Sequence, residues 1–117
     1  MSLFGTVNMS LSIDAEFAVQ RDSDKSYRIY GELTFSTAGE ALRKTPQLAC
    51  EKGQGECIGF DLSGITRVDS AGLAVLLEWQ RMSLVVGGRL KYLNFPNQVL
   101  ALAKVANVDE ILSAFSE

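Results

Sequence analysis

Between Cys57 and Trp79 the chain reads C-I-G-F-D-L-S-G-I-T-R-V-D-S-A-G-L-A-V-L-L-E-W. A short apolar run suited to a buried strand passes through a polar stretch into an apolar helix that opens at Asp69-Ser70-Ala71-Gly72. A strand followed this closely by a helix is the first part of a crossover unit, and such units build parallel sheets. The same segment sets one hydroxyl, that of Ser70, at a helix N-terminus on the surface, where a partner or a phosphate can meet it.

The flanking sequence predicts the remaining elements. Ile13 to Gln20 alternates loosely between apolar and polar residues, and Arg21 to Ser26 is a polar turn before Tyr27-Arg28-Ile29-Tyr30, so a hairpin is expected. After Gly31, Ser36 or Thr37 can cap a first helix through Ala38, Ala41 and Leu42 toward Leu48, which Pro46 should interrupt or confine to its early part. Glu51 to Glu56 is a flexible connector, with Gly53 and Gly55 as turn glycines. Cys57 to Leu62 is a central strand, Ser63 to Asp69 a loop, and the second helix then runs to Gly87-Gly88. Arg89 to Phe95 supplies another strand, Pro96 and Asn97 start a third helix over Val99, Leu100, Leu102, Ala103 and Ala106, and Asn107 closes it before a short terminal element from Val108 to Phe115. This order implies an α/β fold with one mixed, mostly parallel sheet joined by right-handed crossovers. A single domain over residues 1–117 is expected, with its core at about residues 12–115 and residues 1–11 outside that core. In such sheets functional groups gather at the carboxyl ends of strands, and Asp61 to Ser70 leaves the third strand there.

Composition narrows the chemistry. The chain has no histidine, which removes the usual general base for a serine or cysteine nucleophile, the commonest transition-metal ligand and any histidine phosphotransfer site. Cys50 and Cys57, spaced C-x6-C, make a poor zinc site and no disulfide framework, and read as one surface and one core thiol. No metal and no cofactor is expected. A net charge of −3 without a basic cluster argues against nucleic acid as a partner. The richest apolar stretch, Leu73 to Val86, is broken by Glu78, Gln80 and Arg81, and Met1 to Thr6 lacks the features of a secretory signal. A cytoplasmic location follows as an expectation.

Val68-Asp69-Ser70-Ala71-Gly72 differs from the G-x-S-x-G nucleophile elbow only at its first position. Val68 replaces the glycine that a sharp elbow needs, and no histidine exists to activate Ser70, so a hydrolase is a poor reading. Helix capping is the bland role for Ser70, and Asp69 can fill it equally well; the residues alone leave capping and function open. On the second helix, Leu73, Leu76, Leu77 and Leu84 fall on one stripe, and Ala71, Val75, Trp79, Met82 and Val86 on the opposite side. That second stripe either packs under a neighbouring helix or stays exposed as a docking strip centred on Trp79. The docking strip is the expectation adopted, with Asp69, Ser70, Ala71, Gly72, Val75, Trp79 and Met82 as partner-binding residues and Asp61 and Ser63 shaping the loop.

Asp61-Leu62-Ser63-Gly64-Ile65, then Val68-Asp69-Ser70-Ala71-Gly72-Leu73-Ala74-Val75-Leu76-Leu77, with Gly31-Glu32-Leu33-Thr34 upstream, resembles the signature of STAS domains, from about Phe17 to the C-terminus. The resemblance implies helices packed on one side of a mixed sheet. Within the family the chain is similar to the small stand-alone subunits of bacterial ABC systems that move phospholipid between membranes and maintain outer-membrane lipid asymmetry. This similarity rests on its length, on Leu73 to Trp79 and on Val99 to Val105. It implies a non-enzymatic subunit that binds the transporter ATPase through the loop before the second helix and that helix's outer face, peripheral to the inner membrane. Ser70 is then the sensitive contact, where relatives often carry threonine. In the anti-sigma-factor antagonist branch the matching serine is phosphorylated by a partner kinase, so the alternative implied is a switch at Ser70.

Overall fold

A computed structural model describes residues 17–23, 26–51, 57–85 and 87–113. The first two strands form the expected hairpin, β1 (Phe17–Ser23) and β2 (Ser26–Leu33), paired antiparallel from Phe17↔Gly31 to Ser23↔Ser26. Strand β1 runs beyond Gln20, and β2 continues through Gly31 to Leu33 instead of stopping at Tyr30. The expected residues Ile13 to Glu16 and the connector at residues 52–56 lie outside the described segments. With β3 (Cys57–Val68) and β4 (Arg89–Leu93) the sheet has the order β1-β2-β3-β4, and both β2·β3 and β3·β4 are parallel.

Strand β3 corrects the expected loop at Ser63 to Asp69, because those residues continue the strand as far as Val68. Pairing with β2 passes from Arg28↔Asp61 to Tyr30↔Gly64, and from Gly31↔Ile65 to Glu32↔Arg67, so β3 carries one extra residue at each step. These are two bulges. They let Ile58, Phe60, Leu62, Ile65 and Val68 all turn inward although their spacing changes from two to three. Burying Ile65 and Val68 is worth about 1.5–3 kcal/mol each, against about 0.5–1.5 kcal/mol net for a ladder hydrogen bond lost at a bulge. Burial therefore decides that the strand continues.

The inward residues of the sheet, among them Tyr27, Ile29, Leu33, Leu90 and Tyr92, share one core with Ala41, Leu76, Trp79, Val99, Ala103 and Leu112 from the helices. The helices α1 (Ala38–Glu51), α2 (Ser70–Val85), α3 (Asn97–Val105) and α4 (Asp109–Ser113) thus cover a single face. The other face carries half-exposed Arg28, Tyr30, Glu32, Asp61 and Lys91, with Arg28 lying 3.4 Å from Asp22 and 3.5 Å from Asp61.

Helix α1 runs through Pro46 to Glu51, where an early stop was expected. A proline removes one backbone donor, the one that would reach the Leu42 carbonyl. The surrounding Ala41, Leu42, Lys44, Gln47 and Leu48 are strong helix formers that carry the helix past that gap. Helix α2 ends in a Schellman motif: Gly87 at φ 82° donates to the Leu84 carbonyl (3.1 Å) and Gly88 to that of Ser83 (2.9 Å). Asn107 at φ 64° closes α3 in the same way. Strand β4 stops at Leu93, two residues before the expected Phe95, because Asn94 takes φ 60°.

Candidate functional site

The parallel strands β2 and β3 end side by side, and the segments leaving them are stitched together. The Asp69 N–H donates to the Leu33 carbonyl (3.4 Å), while the Asp69 carboxylate accepts from the Phe35 N–H through Oδ2 (3.0 Å) and from the Gly72 N–H through Oδ1 (3.0 Å). Asp69 is therefore the N-cap of α2, and its carbonyl accepts the first helical bond, from Leu73 (2.9 Å). Gln98, in the first turn of α3, accepts the Val68 N–H through Oε1 (2.7 Å) and ties a third segment to the same edge.

The capping role weighed for Ser70 thus falls to Asp69. Ser70 opens the first turn of α2 as an exposed side chain whose hydroxyl makes no hydrogen bond among the described residues. Ala71 beside it is half-exposed, and Ala74 one turn on is exposed.

The rest of the expected docking strip is corrected. Trp79 is 3% exposed, with its ring edge-on to Phe60 at 5.4 Å and tilted against Phe17 at 6.3 Å. Val75 is buried beside it, Met82 is half-buried, and Leu84, expected inside, is 58% exposed. The reason is the central position of α2, which packs against α1, α3, β2, β3 and β4 and so buries members of both stripes: Leu73 and Leu76 of one, Val75 and Trp79 of the other. Gly72 is a packing residue: a Cβ there would lie 1.8 Å from the Leu33 carbonyl oxygen, so the helix can start this close to β2 only on a glycine. Val86, the side chain of Cys57 and that of Cys50 lie outside the described residues.

Asp61 is not at the carboxyl end of β3, as expected, but midway along it, opposite Leu93 at the end of β4. Its Oδ1 accepts from the Ser63 N–H (2.9 Å) and the Asn94 side-chain amide (3.1 Å), which fixes the first bulge and the turn after β4 together. Ser63 itself is exposed.

The carboxyls of Asp61 and Asp69 are both held below the ordinary value of 3.8. Desolvation pushes each upward. It is outweighed at Asp69 by the N–H groups of Phe35, Gly72 and Ala71 and the charge of Arg67, and at Asp61 by Ser63, Asn94 and Arg28. A carboxyl with a lowered pKa stabilises the fold fully above its unfolded value and stops doing so as pH falls through the folded value. Asp69→Ala is expected to cost about 1–2 kcal/mol at neutral pH and to flatten the loss of stability below about pH 4, measured by urea denaturation across pH. An acid limb identical to that of the unsubstituted protein would show that the tether is not holding.

The edge also gathers residues absent from the expected set. Phe35 lies in the turn after β2 with its ring 83% exposed, and the Arg67 side chain, 66% exposed, leaves β3 beside Asp69. Three hydroxyl residues, Thr34, Ser36 and Thr37, surround Phe35 in the sequence, and that turn chemistry was the available signal.

Among the described residues no group of acidic or sulfur ligands could hold a metal ion, and no helix is long and apolar enough to cross a membrane. The fold is shared with solved structures of low sequence identity. An anti-sigma factor antagonist, SpoIIAA in its unphosphorylated form, superposes with a TM-score of 0.63 at 18% identity, covering 87% of this chain and 86% of that one. An anti-sigma factor antagonist from Mycobacterium paratuberculosis gives 0.59 at 18% identity over 82% and 80% of the two chains. A sulfate transporter family protein from Wolinella succinogenes gives 0.58 at 17% identity over 79% and 74%. A comparison with curated proteins finds no match. The family model described as "Mlab, STAS domain" matches residues 17–113, from the first residue of the hairpin through the bulged strand and the capped helix to the last turn of α4. The chain therefore belongs to the STAS domain family, in the group that this description names.

Proposed function

We propose that this STAS domain is a non-enzymatic regulatory or assembly subunit of an Mla-type ABC phospholipid transporter, binding the ATPase subunit at the cytoplasmic side of the inner membrane and serving outer-membrane lipid asymmetry. One observation carries the reading: Ser70 stands exposed at the head of α2 while its neighbour Asp69 does the capping, so the hydroxyl is spare for another polypeptide. The family description supports the choice of transporter. The docking surface is the strand-end rim around Asp69, Ser70 and Ala71, and not the interior flank of α2; the half-buried Met82 lies about three turns further along the helix, away from that rim. With no histidine in the chain, nothing at this rim activates the serine as a nucleophile, which favours binding over catalysis.

Ser70→Arg is expected to abolish co-purification with the ATPase subunit while leaving the melting temperature within about 2 °C of the parent, since the side chain is in solvent. Unchanged co-purification would remove Ser70 from the interface.

The likeness of fold to anti-sigma factor antagonists favours a second reading, in which a kinase modifies Ser70. A phosphate there adds about −1.5 to −2 charge at pH 7 beside the Asp69 carboxylate, so repulsion and desolvation penalise a close interface. Incubation with the cognate kinase and ATP, followed by intact mass, separates the two: a single phosphate on Ser70 supports the switch.

A further inference from the structure

We infer that Phe35 is the aromatic anchor of the surface around Ser70, and that its ring enters an apolar socket with an acidic edge on the protein partner. This rests on the reading above, with the ATPase subunit as that partner. A lone exposed apolar residue says little, because folded surfaces carry many. Phe35 differs in three respects. It is the one exposed large aromatic side chain among the described residues; the others exposed to a similar degree, such as Leu84, Val85 and Val105, are aliphatic and lie on helices.

Its turn is also fixed. The Thr37 N–H donates to the Thr34 carbonyl (3.0 Å), the Thr34 N–H to Thr37 Oγ1 (3.0 Å), and the Thr37 hydroxyl to the Glu32 carbonyl (2.8 Å). The Phe35 N–H is held at 3.0 Å by Asp69, the residue that precedes Ser70. An aromatic side chain presented from an immobile turn loses little freedom on docking, which is the property of a binding hot spot. One carboxylate thus sets both Phe35 and the start of α2, so a partner touching Ser70 meets the ring on the same rim.

The third respect is charge. Asp69 directs both its oxygens onto backbone N–H groups, while the Arg67 guanidinium, ion-paired with Glu32 at 3.9 Å and acting through its charge on Asp69, keeps its side chain 66% exposed. Although its charge is shared with Glu32 and Asp69, the guanidinium is largely exposed and can take an acidic residue opposite. One ring and one cation are too few for a membrane surface, which needs several of each.

The test uses the full chain and the purified ATPase subunit of the phospholipid ABC transporter from the same organism, with affinity measured by calorimetry. Phe35→Ala is expected to weaken binding about 30-fold while thermal melting stays unchanged, and Arg67→Glu to weaken it and reduce its salt dependence. Phe35→Ala binding within about twofold of the parent, in a titration where Ser70→Arg binds nothing, would overturn the role of the ring and leave the transporter reading standing. Failure of the unsubstituted chain to bind would bring down that reading and this inference with it. Self-association of the chain, lost in Phe35→Ala, would assign the ring to a second copy and overturn the partner named here.

Discussion

Gly72→Ala should unfold or severely destabilise this domain, by about 3 kcal/mol or more, although it adds one methyl to a helix and alanine is the better helix former. The methyl carbon would fall 1.8 Å from the Leu33 carbonyl oxygen and 2.7 Å from its carbon, far inside contact distance. Both are backbone atoms, so no side chain can rotate out of the way. Either α2 withdraws from the end of β2, breaking the Asp69 N–H bond to Leu33 and the tether to Phe35, or β2 gives up its last pairing with β3 at Leu33↔Val68. Against a total stability of about 5–15 kcal/mol for a domain of this size, that is a large fraction. Chemical denaturation gives the difference directly. A variant as stable as the parent would mean that α2 sits further from β2 than described.

Trp79→Ala is expected to cost about 3–5 kcal/mol of folding stability, the range for emptying a large aromatic site in a packed interior. The indole is 3% exposed and contacts Phe60 and Phe17, and Phe60 in turn packs on Tyr27 and Tyr92. Its N–H has no acceptor among the described residues, so the loss is one of packing and cavity formation, with no hydrogen bond to count. As a surface hot spot, Trp79 would instead weaken binding by about 2 kcal/mol and leave folding intact. Thermal melting by circular dichroism decides: a fall of more than about 10 °C fits the interior position, and an unchanged midpoint returns Trp79 to the surface.

The architecture was legible because each major element kept a clean local signal. The hairpin alternation, the apolar run from Ile58 to Leu62, Gly87-Gly88 and Pro96-Asn97 all stand where the structure uses them. What misled lay where a period broke. Ile65 and Val68 follow Leu62 at intervals of three, which looks like a loop, and only pairing with β2 shows that bulges restore the inward face. Two apolar stripes on α2 invited the view that one was spare. A helix with neighbours on both flanks buries residues of both, here Leu73, Leu76, Val75 and Trp79, together with Gln80 and Ser83, and a helical wheel cannot report how many neighbours there are. Asp69 and Ser70 were equally good caps by residue type, and the structure gives the cap to Asp69 and leaves Ser70 exposed. Phe35 was missed because an aromatic at the end of a strand looks like core until the turn that ejects it is seen.

The burial of Trp79 has an optical consequence. As the single tryptophan of the chain, wedged among Phe17 and Phe60, it supplies an emission that reports solvent entry into the core. A partner arriving at the strand-end rim leaves that environment dry. Intrinsic fluorescence should therefore follow unfolding faithfully and stay nearly silent on docking, so an added dye or a label near the rim is the way to watch a complex form.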